Sequence, residues 1–345
     1  MRFLKGLVIF LAVTVVVLIG IAFVLPASAH IERSITIARP ASEIYAVLNS
    51  YRRFNEWSPW VGKDPNASYS VSGPASGVGA KQSWSGDPHT VGSGFQEITA
   101  SKPNELVATA LDFGDMGKAS AQFLLAPGAG GTKVTWTLDT VAPLGIDGKI
   151  VWNAMGRYMG LFMDRMVGPD YEFGLGRLKT LVETFPDVDI SGISGEVVQL
   201  AARPIYFVSA SSSIGADSAK AVLTEAYQKL GKYVYETGVT MQGAPMTITT
   251  SFDKSGWKFD AAIAVDRNNA ATREDIQAGA TEGGSAAQFV HLGPYARIGE
   301  TVNKAYAWIA VYGYKPRGRL IEEYINDPGK VPESELQTRL TIPVQ

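Results

Sequence analysis

The sequence predicts an α+β protein with an N-terminal transmembrane helix followed by two domains. An uncharged run of 19 residues, Leu7 to Leu25, lies near the amino terminus. Strand-like alternation then gives way to helical spacing up to about residue 185, and beyond residue 196 a β-α-β-β order occurs twice. A chain of 345 residues is more than one hydrophobic core usually organises, so we expect two domains of about 150 residues each.

The composition predicts a folded protein and argues against several functional classes. Apolar residues make up 46% and charged residues 19% of the chain, which is enough to bury real cores. The formal net charge is −2, so no basic surface is expected to hold phosphates, and nucleic-acid binding is not expected. The chain contains no cysteine, which excludes disulfides, thiolate nucleophiles and cysteine metal sites.

Residues 1–29 are predicted to form a membrane anchor. At about 1.5 Å per residue, the run from Leu7 to Leu25 spans roughly the 30 Å hydrocarbon core of a bilayer. Arg2 and Lys5 precede it, which favours a cytoplasmic amino terminus and domains that are periplasmic or extracellular. Cleavage after Ala29 is the alternative, because Ala27-Ser28-Ala29 fits a processing site, although secretory apolar segments usually run only about 7–15 residues.

The first domain is predicted over residues 30–186. Residues 31–37 alternate apolar and polar side chains, as a half-buried strand does, and a short helix follows Pro40 with Ser42 as its cap. Glycine turns between residues 68 and 140 separate a series of strands. Helical spacing then runs from Gly148 to about Phe185, with a break expected at Gly168-Pro169.

Residues 187–195 are predicted to be a linker, because Asp, Ser, Gly and Pro dominate them. The second domain is then expected over residues 196–345 as an internal duplication of about 75 residues. Its first half is predicted to contain strands at 197–209, 245–253 and 257–265 and a helix at 219–236. Its second half is predicted to contain strands at 286–292, 319–325 and 338–344 and a helix at 298–312.

Residues with catalytic chemistry are scarce. The three histidines, His30, His89 and His291, are too few and too scattered for a three-ligand zinc site. Neither a nucleophile-elbow signature nor a phosphate loop is present. We therefore expect no metal site and no cofactor, and we assign no catalytic residue from the pattern alone.

Soft apolar and aromatic side chains are concentrated in the first domain. Met155, Met159, Met163 and Met166 recur at helical spacing, so one helix is expected to carry them as a stripe. Five of the seven tryptophans lie in this domain, Trp84 and Trp136 among them. An ordinary core is one interpretation; the other is a cavity wall, because flexible thioethers adapt to irregular apolar ligands.

Four segments of the first domain carry a family pattern: residues 35–48 (ITIARPASEIYAVL), 54–60 (FNEWSPW), 131–136 (GTKVTW) and 174–179 (GLGRLK). With them, the domain resembles the SRPBCC superfamily of START-like and polyketide-cyclase-like proteins. This resemblance implies a helix-grip fold, in which a curved antiparallel sheet wraps a long C-terminal helix around an apolar cavity. The resemblance favours Met155, Met159, Met163, Trp84 and Trp136 as ligand-binding residues, but the superfamily includes binders, carriers and enzymes, so it implies no single reaction.

The second domain contains the motifs 288–295 (QFVHLGPY), 306–308 (YAW), 313–314 (GY) and 322–328 (EEYINDP), with Thr338 near the end. With them, it resembles the GyrI-like effector-binding domain, which binds amphiphilic compounds in a cleft between two duplicated halves. The resemblance implies that Glu322 is the buried acid of the cleft. Strand alternation places Glu322 and Tyr324 on one face and Glu323 on the other.

Further ligand-binding candidates follow from the same resemblance. Tyr324 and Tyr295 are the first aromatic candidates, and Tyr206, Trp257 and Phe259 are weaker ones. A buried carboxylate among aromatic rings attracts a lipophilic cation through charge pairing and the ring quadrupoles. We interpret His291 as a structural residue.

Together these features lead us to expect an exported, membrane-anchored protein that binds hydrophobic or amphiphilic small molecules, cations among them, without chemistry. One alternative is a hydrolase of small electrophilic compounds in which Glu322 assists attack by water. A structural or interaction module with closed cavities is another. Direct gene regulation is not expected, because the first domain and the apolar segment occupy the place of a DNA-binding domain.

Overall fold

The structure is a computed structural model that describes residues 2–114, 117–141, 150–213, 215–273 and 275–345. Contacts between residues divide the chain into two compact units, Met1–Asp189 and Ile190–Gln345. The first unit begins with helix α1, Arg2–Ala22. Within the described residues, Phe3–Ala22 is the helix that is long and apolar enough to cross a membrane, and its side chains are almost all exposed.

The first domain is one antiparallel sheet with helices packed on it, which confirms the predicted helix-grip arrangement. Its elements are β1 (Ser28–Ile37), α2 (Ala41–Leu48), α3 (Phe54–Trp57), β2 (Ser68–Ser72), β3 (Lys81–Ser85), β4 (Ser93–Lys102), β5 (Leu106–Asp112), β6 (Lys118–Gly128), β7 (Gly131–Val141), α4 (Ile150–Gly160) and α5 (Met163–Val182). The strand order is β1-β7-β6-β5-β4-β3-β2. β6 and β7 are joined by a tight turn in which Gly130 and Gly131 have positive φ, a conformation that glycine adopts without strain.

Helix α5 packs against β1 and α3 and closes the core of this domain. Its residue Tyr171 is 1% exposed and stacks on Trp136 of β7 with ring centroids 3.7 Å apart. On the next two turns, Leu175 and Leu178 are equally buried. The helical spacing of these apolar residues therefore buries one face of α5 on the sheet, as expected for an amphipathic helix.

The break in the C-terminal helical region lies elsewhere than predicted. The chain leaves the helical path at Leu161-Phe162, between α4 and α5, whereas Pro169 lies inside α5. Proline costs a helical hydrogen bond but is tolerated where packing holds both flanks. Here Gly168 lies against the Arg33 guanidinium, and Tyr171 stacks on Trp136, so tertiary contacts hold the helix on both sides of the proline.

The predicted cap of α2 is also wrong. The residue before the helix is Pro40, which makes no side-chain cap hydrogen bond, and Ser42 lies inside the first turn. The Ser42 hydroxyl donates to Asp189 Oδ1 at 2.7 Å instead. The serine is therefore used for a tertiary contact with the end of the domain.

The second domain is an eight-stranded antiparallel sheet with two long helices. Its elements are β8 (Gly195–Leu200), β9 (Pro204–Ser212), α6 (Ala216–Thr237), β10 (Met246–Asp253), β11 (Gly256–Ala264), β12 (Ile276–Ala280), β13 (Gly284–Leu292), α7 (Ile298–Val311), β14 (Ile321–Tyr324) and β15 (Gln337–Pro343). The strand order is β12-β9-β11-β10-β14-β15-β13-β8. The first β-α-β-β half contributes the adjacent strands β9-β11-β10, and the second half contributes β14-β15-β13, the same arrangement in reverse order. The two halves therefore meet between β10 and β14.

Two features of this sheet differ from the sequence prediction. Residues 197–209 were expected to form one strand, but Pro204 begins a new strand, and β8 and β9 lie in distant positions of the sheet. β8 pairs with β13, whereas β9 pairs with β11. β12 was not predicted, because its sequence, IQAGA, is short and Ile276 is its one large apolar side chain.

Candidate functional site

The buried acid of the second domain lies where its two halves join. Glu322 of β14 is paired directly with Thr247 of β10, so the two side chains project on the same face of the sheet. The side chain of Glu322 is buried, and the residue is 8% exposed. Tyr227 of α6 approaches from the first half, and Tyr295 lies in the 3₁₀ turn Tyr295–Arg297 that precedes α7 in the second half.

The Tyr324 hydroxyl connects the groups at this junction. It lies 3.3 Å from Glu322 Oε2, to which it donates, and 3.1 Å from Thr247 Oγ1. The rings of Tyr324 and Tyr295 contact edge to face with centroids 5.4 Å apart. Tyr227 donates its hydroxyl to the Met246 carbonyl at 2.8 Å, which fixes its ring beside β10. Three tyrosines therefore surround one carboxyl group.

Burial has the largest effect on the pKa of Glu322. It raises the pKa of Glu322 to about 7, and the hydrogen bond from Tyr324 opposes that rise. The pKa values of Tyr227 and Tyr324 are raised by burial first and then by the nearby charge of Glu322. The pKa of Tyr295 is raised by burial too. At neutral pH the tyrosines are therefore hydrogen-bond donors, and the carboxyl group is close to its titration midpoint.

Glu322 has no basic partner among the described residues, whereas its neighbour Glu323 has two. Glu323 is buried on the opposite face of β14 and accepts hydrogen bonds from Arg203 at 2.7 Å and Arg339 at 3.4 Å. Adjacent residues of one strand thus have different electrostatic roles: Glu323 is neutralised by arginine, and Glu322 is enclosed by aromatic rings.

A buried hydroxyl group without a hydrogen-bond partner in the described residues lies opposite Tyr324. Thr338 of β15 is paired directly with Tyr324, is fully buried, and its hydroxyl has no hydrogen-bond partner within the described part of the chain. A buried hydroxyl without a partner costs free energy unless water or a ligand bonds to it. Glu322, Tyr324 and Thr338 therefore place three polar groups on one face of the adjacent strands β14 and β15.

Of the predicted ligand-binding residues in this domain, the structure brings together Glu322, Tyr324 and Tyr295. Tyr206 and Phe259 are instead buried in the core under α6, and Trp257 packs against that core. The Tyr206 hydroxyl contacts the Ala270 backbone, and Trp257 donates to Thr249 at 3.1 Å. Both ring nitrogens of His291 are also bonded locally, Nδ1 to the Thr301 hydroxyl and Nε2 to the Pro294 carbonyl, so this histidine has structural contacts.

Tyr227 and Thr247 were not identified from the sequence. Tyr227 follows Ala226, a member of the apolar stripe of α6. This position beside the stripe could have indicated that its side chain is partly buried. Thr247 gave no signal, because its role depends on the pairing between β10 and β14.

An open, polar depression on this domain is a weaker candidate. Its volume is about 420 Å³, and it is bordered by Ser209, Ala210, Ser211, Thr250, Lys258, Phe259 and Asp260. Asp260 is already paired with Arg319 at 2.7 Å. The depression thus lacks an enclosed, unpaired charge, which the junction at Glu322 possesses.

In the first domain, Trp136 lies at the centre of an aromatic cluster. It stacks on Tyr171 and on Phe123, with centroids 4.8 Å apart for the second pair, and contacts Trp57 and Trp60 edge to face. Trp84 is separate from this cluster: it packs against Phe113 and donates to the Val91 carbonyl at 3.1 Å. The structure therefore does not bring the two predicted tryptophans into one contact.

Three buried donors of this cluster have no acceptor among the described residues. They are Tyr51 Oη, Trp57 Nε1 and Trp136 Nε1. Tyr51 and Trp57 both contact Phe54 edge to face, and Trp57 contacts Trp136, so the three residues are connected through ring contacts. An apolar interior that contains unpaired donors is suited to a ligand with oxygen acceptors.

The predicted methionine stripe is wrong in its placement. Met155 and Met159 belong to α4 and Met163 and Met166 to α5, because the chain bends between them. Met155, Met159 and Met166 are 50%, 44% and 54% exposed, and Met163 is half-buried. Three of the four side chains are therefore exposed, and the four do not form one buried stripe on a single helix.

Comparison with protein families gives two matches in the predicted order. Residues 28–183 match the family described as polyketide cyclase/dehydrase and lipid transport, and residues 196–345 match the GyrI-like small molecule binding domain. No curated protein matches the chain.

Solved structures also match portions of the chain. The crystal structure of the EcmrR C-terminal domain has 19% identity and a TM-score of 0.38, covering 45% of this chain and 98% of that one. The di-domain aromatase/cyclase StfQ of the steffimycin pathway has 11% identity and a TM-score of 0.33, covering 46% and 51%. Norcoclaurine synthase of Thalictrum flavumn has 13% identity and a TM-score of 0.33, covering 46% and 95%. The two family matches assign residues 28–183 to an SRPBCC-type, polyketide-cyclase-like domain and residues 196–345 to a GyrI-like small-molecule-binding domain.

Proposed function

We propose that this protein is an exported, membrane-anchored binding protein for hydrophobic or amphiphilic small molecules, and that its second domain prefers lipophilic cations. The observation that carries the proposal is the environment of Glu322, a buried carboxyl group that is surrounded by Tyr227, Tyr295 and Tyr324 and has no basic partner in the described residues. An ionised carboxylate is costly to bury alone, so a ligand that supplies positive charge is favoured there.

The ring geometry supports the same ligand class. Tyrosine faces attract cations through their quadrupoles, and this attraction is strongest where water is excluded. The flanking hydroxyl groups of Tyr324 and Thr338 offer hydrogen bonds to polar parts of a ligand. Because the tyrosines stay protonated at neutral pH, the site supplies binding groups and one acid, which favours capture of a ligand over a reaction.

The first domain is proposed to bind a second apolar ligand that carries oxygen acceptors. Its aromatic cluster contains the unpaired donors of Tyr51, Trp57 and Trp136. The family described as polyketide cyclase/dehydrase and lipid transport includes proteins that handle such molecules, which supports this assignment.

Membrane anchoring is proposed from α1 and its flanking charges. The helix is apolar over Phe3–Ala22, apart from Lys5, and Arg2 and Lys5 at its start favour a cytoplasmic amino terminus. Full-length protein should then sediment with membranes and resist carbonate extraction. Recovery of a soluble product that begins at His30 would show instead that the segment is a cleaved signal peptide.

The proposed cation site can be tested by isothermal titration of the detergent-solubilised chain with a rhodamine-type lipophilic cation and with a neutral compound of similar size. Glu322→Gln keeps the shape and removes the charge, and the loss of a desolvated charge pair typically costs about 2–5 kcal/mol of binding. We expect that loss for the cation and little change for the neutral compound.

Glu323→Gln is the matched control, because it removes a buried carboxylate from the adjacent residue on the opposite face of the strand. Its cation affinity should stay close to wild type at a temperature at which the variant is folded. Equal loss in the two variants, or no loss in either, would show that Glu322 is not the acid of a cation site.

A further inference from the structure

We propose that the corner between α4 and α5 docks on the surface of the bilayer that α1 spans, so that the first domain is held against the lipid. This inference rests on the proposed membrane anchor. The corner carries a cluster of large apolar side chains that are all about half exposed: Met155, Met159, Leu161, Phe162 and Met166. Five such residues within residues 155–166 form an exposed patch of the kind that marks an interaction surface.

Contacts with α1 determine where this patch lies. Tyr158 of α4 donates its hydroxyl to the Leu18 carbonyl at 2.7 Å, and Arg157 donates to the Leu25 carbonyl at 2.8 Å and the Ala22 carbonyl at 3.4 Å. Leu18 is four residues before the end of α1, which corresponds to about 6 Å along the helix axis. Helix α4 therefore lies at the level of the last turn of α1, where a spanning helix leaves the hydrocarbon.

Arg157 also supplies hydrogen-bond donors to the carbonyl groups at the end of α1. The last carbonyl groups of a helix lack intrahelical partners, and a guanidinium there interacts favourably with the helix dipole. Because two adjacent residues of α4 bond to the backbone of α1, the patch cannot move away from the membrane without breaking these contacts.

The charged groups of the corner suit the same surface. Asp164 is paired with Arg33 at 2.8 Å, so its negative charge is neutralised. Arg165 is exposed between Phe162 and Met166 and is available to lipid phosphate. Apolar side chains bordered by arginine are typical of elements that lie in the membrane interface.

The absence of cysteine permits a direct test by single-cysteine labelling of the full chain in lipid nanodiscs. Phe162→Cys and Met159→Cys would each carry an environment-sensitive fluorophore, and the lipids would be brominated on their acyl chains. Val71→Cys is the matched control: Val71 is 53% exposed against 55% for Phe162, and it lies on β2, at the opposite edge of the sheet from β1.

We expect bromolipids to quench the probes at residues 159 and 162 several-fold more than the probe at residue 71. Quenching at 159 and 162 no greater than at 71 would overturn the docking proposal. Shielding of both probes without bromine quenching would also overturn it, because a second copy of the chain would then cover the patch.

A probe at Val13→Cys, in the middle of α1, separates this inference from the anchor on which it rests. Quenching at residue 13 without quenching at 159 or 162 would retain the anchor and reject the docking. An unquenched probe at residue 13 would reject both.

Discussion

Glu322 of β14 lies directly opposite Thr247 of β10, on the line where the two β-α-β-β halves of the second domain meet. The Tyr324 hydroxyl contacts both side chains, at 3.3 Å from the carboxylate and 3.1 Å from the threonine hydroxyl. Tyr227 from α6 and Tyr295 from the turn before α7 complete the enclosure. The acid is thus held by groups from both halves, and its protonation should respond to any ligand that enters between them.

Cation affinity should depend on pH through Glu322. Burial raises the pKa of this carboxyl to about 7, so the ionised form that attracts a cation is present above pH 7 and is lost as the pH falls. Affinity measured by titration calorimetry should fall roughly 100-fold between pH 8 and pH 5, because binding selects the ionised form. Proton release should accompany binding at pH 6. An affinity that is unchanged over this range would contradict the assignment.

Glu322→Gln should stabilise the protein when no ligand is present at pH 8. The folded-state pKa of Glu322 is above its unfolded value, so the wild-type protein loses stability as pH rises from about 4.5 to about 7. The glutamine variant lacks this loss, and the gain in unfolding free energy at pH 8 should be at most about 3 kcal/mol. Thermal unfolding at pH 8 and pH 5 tests this, since the difference should shrink at the lower pH.

Glu323→Gln should have the opposite effect on stability. It removes the acceptor of Arg203 and Arg339 and leaves two guanidinium groups without that partner. Both arginines are partly exposed, so solvent reduces the penalty, and a loss of about 1–3 kcal/mol is expected. Urea unfolding beside the exposed control Glu333→Gln measures it. A variant that unfolds like wild type would show that these ion pairs contribute nothing.

Tyr324→Phe should raise the pKa of Glu322. The tyrosine hydroxyl donates a hydrogen bond to the carboxylate, and this bond lowers the pKa of Glu322 against the larger effect of burial. Without it, the pH midpoint of cation binding should move upward. Tyr295→Phe, which keeps the ring contact with Tyr324, should leave the midpoint near its wild-type value. Equal midpoints in all three proteins would remove Tyr324 from the site.

Tyr51→Phe should stabilise the first domain in the absence of ligand, or leave its stability unchanged. The Tyr51 hydroxyl is buried without a hydrogen-bond partner among the described residues, and such a group costs about 1–3 kcal/mol. Tyr45→Phe is the matched control, because the Tyr45 hydroxyl is bonded to Ser101 and its removal should destabilise the domain by about 1 kcal/mol. Similar losses in the two variants would indicate that an ordered water or ligand already satisfies Tyr51.

Local patterns in the sequence predicted much of the secondary structure. The alternation at residues 31–37 lies within β1, and the predicted strands 245–253 and 257–265 correspond closely to β10 and β11. Helix α6 buries the predicted stripe residues Ala226, Leu230 and Val234. These elements could be recognised because side-chain period and glycine turns are properties of neighbouring residues.

Pairing and packing between distant residues decided the remaining features of the fold. The apolar run at 197–209 has the composition of one strand, but its two parts pair with different partners, β13 and β11. The methionines have helical spacing, yet the bend at Leu161-Phe162 and the contact of α4 with α1 place three of them on the surface. The spacing of residues in the sequence predicts which side chains share a face of a helix. What that face contacts depends on the helices and strands that pack against it.

The candidate site divides in the same way. The sequence by itself determined that Glu322 and Tyr324 share one face of a strand and Glu323 the other, because alternation follows from backbone geometry. Only the tertiary structure decided that Thr247 pairs with Glu322, that Tyr227 arrives from α6, and that arginines meet Glu323 but not Glu322. Burial raises the pKa of Glu322, and burial exists only after residues that are far apart in the chain have excluded water together.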